Sequence, residues 1–179
     1  MKRALSVAAL LVVGVLAAGC GSDEPEASST TDWAAGVCTA ITTWTDSIKS
    51  AADPIKSGDI SEDSLQSAAD DVKSATDTLE SDLEGLGRPD TEAGQQAKDT
   101  VDQLSSDLST ETDTIKSAVE DVSGLSDIAA AVATVGTTLA TMQTQVTSAY
   151  TSLTQLDAAD ELETAFQEAS SCQELSSAS

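Results

Sequence analysis

Apolar side chains recur at steps of three and four over most of this 179-residue chain, and that period leaves little choice of fold. Such a step keeps side chains on one face of a helix, whereas a half-buried strand needs strict alternation. Trp33, Val37, Ile41, Trp44 and Ile48 mark a first helix over about 32–52, which Pro54 and Gly58 are expected to end. Leu65, Ala68, Val72, Ala75, Leu79, Leu83 and Leu86 mark a second, opened by Ser61-Glu62-Asp63 and closed by Gly87. Arg88-Pro89-Asp90 then turns the chain, and Asp90 is positioned to cap a third helix with Ala93, Ala97, Val101, Leu104, Leu108, Ile115, Ala118 and Val122 inward. Gly124 is its stop. The fourth stripe is the most regular, running through Ile128, Val132, Val135, Leu139, Met142, Val146, Ala149, Leu153 and Leu156 with heptad-like spacing.

Each stripe is narrow and needs a partner, and short connections make successive helices antiparallel. Aromatic residues are only 2% of the chain, so the core must come from Ala, Val, Leu and Ile, which favours closely packed helices over a sheet. The expected fold is therefore all-α, an up-down-up-down four-helix bundle over 32–175. Its longest helices, about 30 residues each, would reach ~45 Å.

The N-terminus carries a different signal. Lys2 and Arg3 precede an apolar run from Ala4 to Leu16, and Ala17-Ala18-Gly19 leads into Cys20. The layout resembles a bacterial lipoprotein signal peptide, with Ala17 where that family most often has Leu. The resemblance covers residues 1–20 only. It implies removal of 1–19, a diacylglyceryl group on the Cys20 thiol, and a protein held at the extracytoplasmic face of a cell membrane. An uncleaved transmembrane anchor is the competing reading, but the run is short against the roughly 20 residues a span requires. Gly21 to Thr31 has one apolar residue, Ala27, and reads with Cys20 as a flexible tether over 20–31, ~18 Å long on average.

With Cys20 lipidated, Cys38 and Cys172 remain. An even pair in an exported protein reads as a disulfide. In an up-down bundle the start of the first helix and the finish of the fourth share one end, so the bond suits the topology. A continuous fourth helix would carry Cys172 ~24 Å past Leu156. A break near 157–160 is therefore expected, with Leu162, Ala165, Phe166 and Ala169 folding back as a short cap and 176–179 left as a disordered tail.

The formal charge is −23, and −25 once Lys2 and Arg3 leave with the signal. Such a surface repels nucleic acid, whose binding needs Lys or Arg at phosphates. Catalysis has little to stand on. The chain has no His, so the usual base for a Ser or Cys nucleophile and the common His-containing zinc sets are absent. The acidic clusters Asp59, Glu62, Asp63 and Asp157, Asp160, Glu161, Glu163 lack the ordered spacing of a calcium loop and read as helix-terminal charges. No enzyme activity, cofactor or metal is expected.

Two features remain as binding candidates. Trp33 and Trp44 stand three turns apart on one helix face. They read as core residues seated beside Gly136 and Ala140, with ligand stacking as the alternative. Between Asp127 and Asp157 no residue is charged. Thr137, Thr141, Thr144 and Thr151 stand among the polar positions of that stretch. Enclosure of the fourth helix is the simpler explanation, and a neutral face for an envelope protein or wall polymer is the other. The resulting expectation is a lipid-anchored helical protein that binds or scaffolds without catalysis. A ligand-binding accessory of a transporter or sensor is the main rival, and an envelope hydrolase a weaker one.

Overall fold

The computed structural model describes residues 29–58, 60–120, 122–156 and 160–177. Residues 1–28 lie outside them, and with them the expected lipoprotein-type signal, Cys20 and most of the expected tether. The described residues form six helices: α1 (Thr30–Ser57), α2 (Glu62–Gly85), α3 (Gly94–Glu120), α4 (Leu125–Thr154), α5 (Asp160–Glu168) and α6 (Ser170–Ser177). No strand occurs among them.

Several boundaries differ from the sequence expectation. Thr30 and Thr31, expected in the tether, are helical, because Ser29 caps α1 by accepting a hydrogen bond from the Asp32 backbone N–H. Pro54 does not end α1. It sits inside the final turns, where the missing N–H sacrifices one backbone bond, and the helix stops at Gly58 in the left-handed region, φ 84°. Ser61 caps α2 reciprocally with Ser64. Asp90 does not cap α3: Pro89 is buried, the chain turns again through Thr91 and Gly94, and the helix starts at Gly94, three residues later than a cap at Asp90 implies. A Cβ at Gly94 would collide with the Pro89 carbonyl, so this tight passage requires glycine. At the C-terminus α6 runs to Ser177, two residues into the expected tail.

α1 packs along α2, α2 along α3 and α3 along α4. The apolar stripes of these four helices, joined by Leu162, Phe166 and Ala169 near the C-terminus, merge into one core. At its centre the Trp44 indole N–H donates to Thr76 Oγ1 at 3.3 Å, Thr112 Oγ1 lies 3.3 Å from the same atom, and the Thr112 hydroxyl donates to the Leu108 carbonyl. This polar link joins α1, α2 and α3 inside a largely apolar interior. The described ion pairs are exposed and lie within single helices, each worth at most about 0.5 kcal/mol. Burial, not charge, holds the helices together.

The α1–α4 edge is built differently. The two helices are not among the closely packed pairs, and α5 and α6 pack on α1 instead, with α5 also touching α4. Cys172 of α6 is bonded to Cys38 of α1 with a Cα–Cα distance of 5.0 Å, and Ser171 Oγ donates to the Ala35 carbonyl. Phe166 meets Trp33 and Tyr150 edge to face at centroid distances of 6.1 and 5.6 Å. The cap thus fills the α1–α4 edge at the end where α1 begins.

Candidate functional site

α4 is the feature that distinguishes the surface. Seven of its 30 residues are buried, Ala131, Val135, Thr138, Met142, Val146, Ala149 and Leu153, and they form one seam toward the core. Much of the rest is exposed. The expectation that α4 lacks charge because it is enclosed is therefore corrected: the uncharged positions face outward. Of the described helices it alone is long and apolar enough, by composition, to cross a membrane.

Thr137, Thr144 and Thr151 are exposed and Thr141 is half-buried. Their hydroxyls donate to the Ala133, Thr137, Ala140 and Thr147 carbonyls of their own helix, at 2.8–3.1 Å. A threonine hydroxyl has one hydrogen to give. These threonines consequently offer methyl groups and spare acceptor lone pairs, their own hydroxyl hydrogens being already used.

Grooves flank this helix on both sides. The α3–α4 groove is lined by Thr137, Thr141 and Thr144 on one wall and by Gln103, Asp99 and Asp107 on the other. Across it Gln145 Nε2 donates weakly to Glu111 at 3.5 Å. The α1–α4 groove, about 290 Å³, is apolar at its base, with Ile48, Ala52 and Ile55 facing Val132, Val135 and Leu139. Its charged lining residues are Lys49 and Lys56. A third groove, between α1 and α2, is bordered by Asp46, Asp71 and Asp82. The α1–α4 groove alone among these three is lined by cations and not by carboxylates.

Trp33 and Trp44 are both buried. Trp33 Nε1 donates to the Gly87 carbonyl at 3.2 Å, where Gly87 adopts φ 63°, and its ring packs on Phe166. The indoles have their hydrogen-bond partners inside the protein. The seats expected at Gly136 and Ala140 are wrong, because both residues are exposed and line the α1–α4 groove instead. The space for Trp33 comes from the cap, whose position relative to α1 could not be read from local spacing.

Among the described residues no group of three or more Cys, Asp or Glu side chains converges to hold a metal ion. Glu62 and Asp63 lie in the first turn of α2, complementing its N-terminal dipole. Asp59 and Asp157 of the acidic clusters fall outside the described residues. Among the described residues two carboxyl groups are perturbed. The Asp127 carboxyl is held below its usual range by hydrogen bonds from the Ser123 hydroxyl and backbone N–H. Burial pushes that of Glu80 up, with Asp77 adding repulsion. They lie on different helices, and neither lines these grooves.

The sequence reading missed Lys49 and Lys56. Their signal was available, since residues seven apart share a helix face, but their relation to α4 depends on which edge of the bundle stays open. No family model matches the chain, and no significant match is found among curated proteins or solved structures.

Proposed function

We propose that this chain is a lipid-anchored, noncatalytic binding protein at the extracytoplasmic face of a bacterial cell membrane, its long helices arranged as an up-down-up-down bundle. The observation that carries the binding role is the outward-facing, uncharged α4 surface with a groove on each side, on a protein of formal charge −23. The other long helices carry carboxylates along their exposed faces, whereas the exposed positions of α4 are neutral. The Cys38–Cys172 bond supports residence in an oxidising compartment, and the Cys20 motif supports the anchor.

Two experiments test the two halves separately. Cys20→Ser should move the protein from the detergent phase to the aqueous phase in cloud-point partitioning; unchanged partitioning overturns the anchor. Crosslinking on intact cells with a photoreactive residue at position 144 should capture a discrete partner, and one at exposed position 70 on α2 should not. Equal labelling from both positions overturns the assignment of binding to α4.

A further inference from the structure

We propose that the α1–α4 groove binds one single-chain amphiphile with an anionic head, its hydrocarbon lying along the groove and its head between Lys49 and Lys56. The proposal deepens the binding reading above and does not depend on the anchor.

Shape and charge together select the ligand. Ile48, Ala52 and Ile55 form one apolar wall and Val132, Val135 and Leu139 the other. The groove lies along the α1–α4 edge, where the two helices are not closely packed, and Gly136 and Ala140 contribute little side-chain volume to fill it. At about 290 Å³ it stands at the lower edge of the ~300–1,000 Å³ typical of small-molecule sites, a size suited to one unbranched chain.

Charge selects the head. The chain has 31 acidic and eight basic residues, yet the ionised residues lining this groove are both lysines. Lys49 is paired with exposed Asp46 at 3.3 Å, a contact weak enough to yield to a ligand carboxylate. No ion pair of Lys56 occurs among the described residues. Exposed Asp46 and Asp53 stand beside the two lysines on α1 but do not line the groove, and more distant carboxylates are screened beyond about 8 Å at physiological salt, so inside the groove the head meets lysines and no carboxylate. The other two grooves carry carboxylates and would reject the same head.

The test uses the full chain carrying Cys20→Ser, purified without detergent, with sodium dodecanoate below its micellar concentration as probe in isothermal titration. One site is expected, and affinity should rise about threefold per methylene from octanoate to dodecanoate. Dodecyltrimethylammonium, with the same chain and opposite charge, should bind at least tenfold more weakly. Lys49→Glu with Lys56→Glu should cost dodecanoate about tenfold or more. Gly136→Leu should abolish binding while leaving the circular-dichroism melt intact, because a Cβ at Gly136 meets nothing within 4 Å. Equal affinity for the two head charges, or unaltered dodecanoate binding by a folded Gly136→Leu protein, overturns the proposal. So does tight binding of an apolar helical peptide that dodecanoate fails to displace, which would make the groove a protein-docking surface. Loss of Cys20-dependent anchoring leaves every one of these readouts unchanged, so the two readings fail separately.

Discussion

Trp44 donates its indole N–H to Thr76 Oγ1 across 3.3 Å in a part of the core where both residues are almost fully buried. An unsatisfied buried donor costs more than a hydrogen bond gains. Thr76→Val should therefore lower stability by about 1–3 kcal/mol, measured by chemical denaturation. Trp44→Phe combined with Thr76→Val should lose less than the two single effects added. An additive double mutant would show that the bond is not what couples α1 to α2.

The Cys38–Cys172 bond closes a separation of 134 residues. A loop of that length limits the unfolded chain by about 5 kcal/mol in the entropic model, with measured values usually lower. Cys38→Ala with Cys172→Ala should cost about 2–5 kcal/mol. The cap should open first, seen as faster hydrogen exchange in α5 and α6 than in α2 or α3. Uniform exchange across all helices would contradict the view that the bond chiefly seats the cap.

Asp127 is hydrogen-bonded by Ser123, whose hydroxyl lies 2.9 Å away. Because the folded-state pKa is lowered from 3.8, the linked stability is present above that unfolded value and lost as pH falls through the folded one. Ser123→Ala should move the Asp127 pKa back upward in an NMR titration and weaken the α3–α4 turn above pH 4. Glu80 has the opposite sign: its pKa is raised, chiefly by burial. Its contribution is therefore full below the unfolded pKa and declines as pH rises through the folded one. Glu80→Gln should slightly stabilise the protein at pH 7, by less than about 1 kcal/mol after solvent screening.

Thr137, Thr144 and Thr151 project from the exposed side of α4. Replacing all three with Glu should change stability by no more than about 0.5 kcal/mol per site and abolish partner capture at the α4 face. Retained capture by the folded triple variant would remove that face from the functional account.

The helices were legible because their evidence is local. A 3.6-residue stripe, a Ser cap or a left-handed glycine acts within a turn or two, so α1, α2 and α4 were expected nearly where they occur. That the fourth helix does not run on to Cys172 was legible too, since Cys172 had to return to Cys38; α4 ends at Thr154, ahead of the break expected near 157–160. Pro54 and Asp90 misled for a shared reason: each is a local signal overruled by its surroundings, Pro54 inside a helix that continues to Gly58 and Asp90 beside buried Pro89.

From the sequence alone come the helical class, the acidic charge, the lipoprotein-type motif and the neutral run along 128–156, all properties of neighbouring residues or of sums over residues. The tertiary structure decided which way that run faces. A stripe requires a partner but does not specify whether one or two helices cover it, and α4 packs closely on α3 and on short α5 but not on α1. Where α5 stops, the edge stays open, and that vacancy sets Lys49 and Lys56 beside an apolar floor. It arises from packing between segments some 80 residues apart, a separation at which local periodicity carries no information.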